Sequence, residues 1–202
     1  MRQEIAADLI LAYGRRNVDS TGNKAVRVDG LAGSRSEVDV VPAFTLHLIR
    51  PGSLLGGPST VEGVAILSRD GHWTFNYPDQ HEANGRLKHL LTGRRFKKVV
   101  RTIKRIRSEM LKQGVLKEKV PSFLIECLVY LVEDAYFTVL DDDRYDRVRR
   151  VLARIKAILA HPTAPYLSEI NGIKQLFAPG QAWTLETARS FVDRALIHLG
   201  DA

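Results

Sequence analysis

The chain has 202 residues, 45% apolar and 26% charged, with a formal net charge of +7. These proportions are ordinary for a globular protein and exclude collagen, a coiled coil and outright disorder; the length suits one domain, or one domain with a smaller lobe. A single cysteine, Cys127, excludes an internal disulfide framework and fits a reducing, cytoplasmic setting, and no run of roughly 18 apolar residues offers a membrane span.

Residues 2–13 place Ile5, Leu9 and Ala12 on one helical face, with Gly14 as the stop. Residues 25–29 (AVRVD) alternate and read as a strand, and 30–36 read as a turn. Residues 37–49 form a second strand-like run that Pro42 interrupts, because proline cannot donate to a ladder. After a Pro/Gly loop at 50–59, the runs 61–67 and 72–77 flank Ser68-Arg69-Asp70-Gly71, a hairpin signal. Helical periodicity then takes over, at roughly 79–90, 94–113, 121–132, 143–160 and 184–199. Asp141–Asp143 and Thr184 suit N-caps, and Pro162 and Pro165 break the helices before a connector at 167–172. One helix, four strands and five helices predict an α+β protein of two lobes with a cleft between them. The sheet lobe spans 1–85 and the helical lobe 86–202. Four strands and one helix leave one sheet face poorly covered.

The positive charge is concentrated. Between Arg86 and Lys112 stand eleven Lys/Arg against one acid, Glu109, a local net charge of +10 that leaves −3 for the rest of the chain. Such an element attracts phosphate, whether of a nucleotide, a nucleic acid or an anionic lipid. A merely solvated helix face usually mixes signs to gain i,i+4 pairs, and this one does not. Lys97, Lys98, Arg101 and Lys104 recur at three- and four-residue steps and can share one helix face. Arg94, Arg95, Arg105 and Arg107 fall elsewhere around the axis, for nucleic acid or for solvent.

Asp39 stands in a run of valine, Val38-Asp39-Val40-Val41-Pro42-Ala43-Phe44. A lone buried carboxylate costs several kcal/mol unless it is paired or metal-bound. On the period-2 reading Asp39 points opposite to Val38 and Val40, into the cleft or into solvent.

That segment, preceded by Asn23-Lys24-Ala25-Val26-Arg27-Val28, resembles the third-carboxylate strand of nucleotidyltransferases related to cyclic GMP-AMP synthase and oligoadenylate synthase. The bacterial members make cyclic oligonucleotide signals in anti-phage (CBASS) defence. The resemblance continues in order through Glu62-Gly63-Val64, Asn76-Tyr77-Pro78-Asp79-Gln80-His81, Asn84-Gly85, Phe96-Lys97-Lys98-Val99-Val100-Arg101, Lys104 and Pro121-Ser122-Phe123-Leu124-Ile125-Glu126-Cys127. It implies a polymerase-β-like sheet lobe, here truncated, followed by an all-helical lobe. The chemistry it implies is attack of a ribose hydroxyl on the α-phosphate of a nucleoside triphosphate, with three carboxylates holding two Mg²⁺. By motif position Asp39 matches the third carboxylate, as metal ligand and catalytic residue. Lys104 and Ser122 match contacts to the triphosphate tail, with Lys97, Lys98 and Arg101 beside them. Phe123 matches an aromatic that stacks on a base, and it equally suits a core position beside Leu124 and Ile125. Glu126 stands where animal relatives tend to carry lysine.

The family carries a Gly-Ser turn opening a helix and then an Asp-x-Asp pair ahead of the third carboxylate, and the 38 residues before Asp39 do not show that pattern. Gly33-Ser34 lies five residues before Asp39, too close to open an intervening helix, and Glu37 with Asp39 is a weak substitute for the pair. The expectation is a chain that does not transfer nucleotides by itself. It is then a fragment, half of a split enzyme or a non-catalytic relative. Mg²⁺ binds only if the missing carboxylates are supplied. Expected partners are nucleoside triphosphates, with nucleic acid and a complementing chain or second copy as alternatives, and no membrane. His72, His81 and His89 do not make a zinc site with a lone Cys127. His81 reads as a hydrogen-bonder at a helix start, and Trp73 and Trp183 as packing residues.

Overall fold

A computed structural model describes residues 1–52, 57–140 and 143–200. The loop at 53–56 and the acids Asp141 and Asp142 lie outside the described residues. The chain divides into two compact units, Met1–Asp79 and Gln80–Ala202.

The first unit opens with helix α1 (Arg2–Tyr13), which ends at Gly14 in the left-handed region, φ 84°. The buried residue of α1 is Ala6, with Ile5, Leu9 and Ile10 half-buried; Ala12, expected inward, is exposed. The helix is anchored by Arg2, whose Nη2 donates to the carbonyls of Ser20 (2.8 Å) and Ala25 (3.1 Å). Among the described residues six strands follow: β1 (Val18–Asp19), β2 (Val26–Val28), β3 (Val38–Val40), β4 (Phe44–Arg50), β5 (Ser59–Leu67) and β6 (Trp73–Asn76). They form two antiparallel three-stranded sheets, β1-β2-β3 and β4-β5-β6, instead of one sheet of four strands. The division falls at Pro42, which is buried and has no N–H to continue a ladder from β3 into β4. Phe44, Ala65 and Phe75 stand in one row across β4-β5-β6, and Leu67 faces Trp73. Trp73 stacks on Phe75 and meets Phe44 at a tilt, yet these three rings are about half exposed (51, 45 and 47%). Trp73 is therefore a surface aromatic and not a packing residue.

The second unit holds α2 (Pro78–Leu91), α3 (Phe96–Lys112), α4 (Ser122–Tyr130), α5 (Arg144–Ala160) and α6 (Leu185–His198). Two of its caps are the expected ones. Asp143 Oδ1 accepts from the N–H groups of Tyr145 and Asp146, and Thr184 Oγ1 accepts from Thr187 N–H. The start of α3 is capped from the end of α2 and the turn after it: Thr92 Oγ1 accepts from Phe96 N–H (3.0 Å) and His89 Nδ1 from Lys97 N–H (3.3 Å). Burial and the cations Lys97, Arg94 and Lys98 hold the His89 imidazole below its ordinary pKa, which keeps Nδ1 an acceptor. One continuous core fills the unit. It takes the inward faces of α3 (Phe96, Val99, Val100, Ile103, Met110), α5 (Val148, Val151, Leu152, Ile155) and α6 (Ala188, Phe191, Val192, Ala195) around nearly all of α4. Cys127 lies inside it, and burial pushes its thiol up to about 12, so it is inert at neutral pH.

Candidate nucleotide-binding site

The core fixes the roll of α3, and the roll sorts its cations. At about 100° per residue, Lys97, Arg101 and Lys104 fall along one flank, while Lys98 and Arg105 lie further round with Arg101 between them. The four expected ligands thus spread over two adjoining stripes. Lys97, Lys98, Arg101 and Arg105 are exposed, and Lys104 is half-buried. Arg107 belongs to neither stripe. It falls in phase with Val100, Ile103 and Met110, and its side chain is 6% exposed.

Helix α4 delivers the second set of groups. Its N-cap is Pro121, which supplies no side-chain acceptor, so the first turn opens with Ser122 uncapped. Ser122 Oγ accepts from Arg107 Nη1 at 3.1 Å. One turn on, Glu126 reaches across to α3 and pairs with Lys104, Oε2 to Nζ 3.3 Å. Its other oxygen lies 3.9 Å from His81 Nε2, on the first turn of α2. The His81 ring in turn stacks on Phe123, centroids 5.3 Å apart and planes 24° apart. Trp183 approaches Phe123 as well, at 5.8 Å and 37°, with its indole N–H donated to the Leu176 carbonyl at 2.8 Å.

Phe123 is 37% exposed and outside the core, so of the two sequence-level options the surface position is the one adopted. His81 serves as an aromatic neighbour of Phe123 and not as a helix-start hydrogen-bonder. Around Phe123 and Glu126 the structure adds two groups for which the sequence suggested other roles, His81 as a helix-start hydrogen-bonder and Trp183 as a packing residue, the latter also packed against the core. Trp183 is 60 positions from Phe123 in the chain, and no local pattern could have joined them. Arg107, expected from the sequence to serve nucleic acid or solvent, is instead buried; its spacing from Ile103 and Met110, which puts it on the apolar face, is the signal that could have shown this. Chemically the cluster offers cations and a free helix end for phosphate, an aromatic face for a base, and a carboxylate that already occupies one of the cations.

Asp39 lies in the first unit, on β3, exposed. Arg27 is its register partner on β2, and Asp19 is the partner of Arg27 on β1. The Arg27 guanidinium lies 4.0 Å from Asp19 and 3.9 Å from Glu37, while Asp39 makes no hydrogen bond or ion pair among the described residues. Glu37 is thus turned toward Arg27, and Glu37 with Asp39 does not form a ligand pair for Mg²⁺. Among the described residues no group of three His, Cys, Asp or Glu is placed to hold a metal ion. One carboxylate falls short of the oxygen set that Mg²⁺ takes. Among the same residues no helix is long and apolar enough to cross a membrane.

Residues 83–200 match the model of the cGAS/DncV-like nucleotidyltransferase C-terminal helical domain. The chain is 35% identical over 174 residues to a cyclic dipyrimidine nucleotide synthase CdnE of Legionella pneumophila, covering 86% of this chain and 56% of the relative. The structure of Elizabethkingia meningoseptica CdnE cyclic dinucleotide synthase with GTP and Apcpp superposes with a TM-score of 0.82 at 28% identity, over 99% of this chain and 72% of that one. That of Rhodothermus marinus CdnE c-UMP-AMP synthase with Apcpp and Upnpp gives 0.79 at 26% identity, over 96% and 63%. The chain therefore spans a little over half the length of the Legionella relative.

Proposed function

The chain belongs to the cGAS/DncV-like nucleotidyltransferase family, and from that premise we propose that it is the nucleotide-binding portion of a synthase of cyclic or linear oligonucleotide signals. Lys104 and the Ser122 end of α4 take the triphosphate tail, Lys97, Lys98 and Arg101 add positive field along it, and Phe123 faces the base. The observation that carries this reading is that Ser122 and Phe123 open α4 while Lys104 of α3 pairs with Glu126 one turn further along the same helix. Three unlike groups, suited to phosphate and to a base, are supplied there by two helices, Lys104 by α3 and the adjacent Ser122 and Phe123 by α4. The relatives' solved structures, with GTP or nucleotide analogues, lend the same support.

Transfer chemistry is not part of the proposal for these 202 residues taken alone. Mg²⁺ would supply activation of the attacking hydroxyl and charge relief at the phosphate. Asp39 would supply one of the carboxylates that such a site needs, and the residues ahead of it show no Gly-Ser turn followed by an Asp-x-Asp pair to complete it. The role in anti-phage signalling follows the relatives and stands with the same reading.

Binding of ATP, GTP, CTP and UTP to the purified chain, measured by calorimetry, tests it. Binding that Lys104→Ala and Ser122→Ala each weaken about tenfold, the scale of a charge-assisted hydrogen bond, supports it. Unchanged affinity in both variants overturns it. Labelled nucleoside triphosphates incubated with the chain and Mg²⁺ should give no product, and product would overturn the inactive reading.

A second reading rests on the outer stripe. Lys98, Arg101 and Arg105 carry no ion pair among the described residues, an arrangement that suits a nucleic-acid backbone. Salt separates the two: a polyanion held by many phosphates loses orders of magnitude between about 50 and 200 mM salt, and a single nucleotide site loses far less.

A further inference from the structure

Arg107 is the one cation of α3 that is folded inward. Its Nη1 donates to the Val120 carbonyl at 2.7 Å and to Ser122 Oγ at 3.1 Å. Its Nε is buried without a partner, and no carboxylate pairs with it among the described residues. Burial alone holds its pKa below the usual guanidinium value. A buried, unpaired charge costs several kcal/mol, and a methionine or leucine would fill the same volume without that cost. The neighbouring core positions, Ile103 and Met110, are occupied in that apolar way. Both acceptors that Arg107 engages lie at the entrance to α4, on either side of Pro121.

We propose that Arg107 is a positioning residue for the triphosphate subsite, acting through Ser122. A serine hydroxyl has one proton and two acceptor lone pairs. With Arg107 donating into a lone pair, the Ser122 proton is directed away from Arg107 and remains available to a phosphate oxygen. The bond to Val120 fixes the strand of backbone that leads into the uncapped first turn of α4, so hydroxyl and helix end are presented together. The guanidinium also adds a positive charge, screened little by solvent, behind the serine. The inference rests on the reading of Ser122 as a triphosphate contact and goes beyond it in naming what holds that contact in place.

A double-mutant cycle on the chain, with inorganic tripolyphosphate and with ATP as probes, tests the proposal. Ser122→Ala and Arg107→Met should each weaken binding about tenfold, and the double variant should be no weaker than the poorer single one. Arg107→Lys, whose ammonium can fill one of the two donor positions, should give a smaller loss that is likewise absent in the Ser122→Ala background. A purely structural role predicts instead losses that multiply, or a fall in thermal midpoint with affinity unchanged. Either of those results overturns the proposal. Where Arg107→Met does not fold, the cycle run with Arg107→Lys decides on the same criterion. If Ser122→Ala itself has no effect, the triphosphate reading falls and takes this inference with it. If Ser122→Ala weakens binding and the Arg107 variants do not, the positioning role falls alone.

Discussion

Glu126 is the acid set beside the candidate triphosphate cation. It pairs with Lys104, the cation assigned to the triphosphate, and stands close to His81. An incoming phosphate must compete with that carboxylate for the same ammonium. Glu126→Gln should therefore tighten triphosphate binding several-fold, by removing a like charge from the subsite while keeping its shape. Calorimetric titration of the variant is the check, and weaker binding would show that Glu126 orients Lys104 instead of masking it. A second residue governs behaviour in acid. Arg154 donates to both Glu133 oxygens, and this holds the Glu133 carboxyl well below the usual range, at about 2. The unfolded chain takes up that proton first. The stabilisation is complete above the ordinary value near 4.5 and is lost as pH falls through about 2. The urea midpoint of the wild type should fall over that window, and Glu133→Gln should flatten part of the fall. High salt should shrink the difference, because the pair is partly exposed.

At the scale of elements, β5 shows a constraint imposed by close approach. Gly63 is buried, and a Cβ there would meet the Asn76 carbonyl oxygen at 2.7 Å and the Tyr77 ring at 2.8 Å. Neither can step aside freely, since one is ladder backbone and the other a buried aromatic. Gly63→Ala should cost about 1–3 kcal/mol, read as a lower urea midpoint. Most of the elements were legible in the chain. Helices α3, α5 and α6 show a period of 3.6, and Gly14, Asp143 and Thr184 announce helix ends. Pro42 marks the break between β3 and β4. What was not legible depends on distance. The two-residue β1 is too short to carry an alternation, and the division into two sheets is a matter of pairing between strands. In the site, Lys104, Ser122 and Phe123 follow from local motifs. The neighbours of Phe123 come from α2 and from the segment before α6, and only folding brings them there.

Across the whole molecule the two units differ in how much they bury. Among the described residues, the buried apolar ones of Met1–Asp79 are Ala6, Val26, Val28, Ala65, Ile66 and Tyr77, whereas the core cluster of the second unit holds 27. Stability follows buried apolar surface, so the backbone amides of β1–β6 should exchange with solvent faster than those of α3, α5 and α6. Hydrogen exchange followed by fragment mass analysis would show one common rate class if this is wrong. The two tryptophans fall one to each unit, Trp73 and Trp183. Trp183 is anchored through its N–H and has Phe123 as its ring neighbour. A base arriving on Phe123 thus arrives beside a fixed chromophore. In a Trp73→Phe background all indole emission comes from that one ring. Its brightness should change with ATP or GTP and stay constant with tripolyphosphate. If the base lies on Phe123 as proposed, the fold thereby contains its own optical gauge of base occupancy, independent of phosphate occupancy.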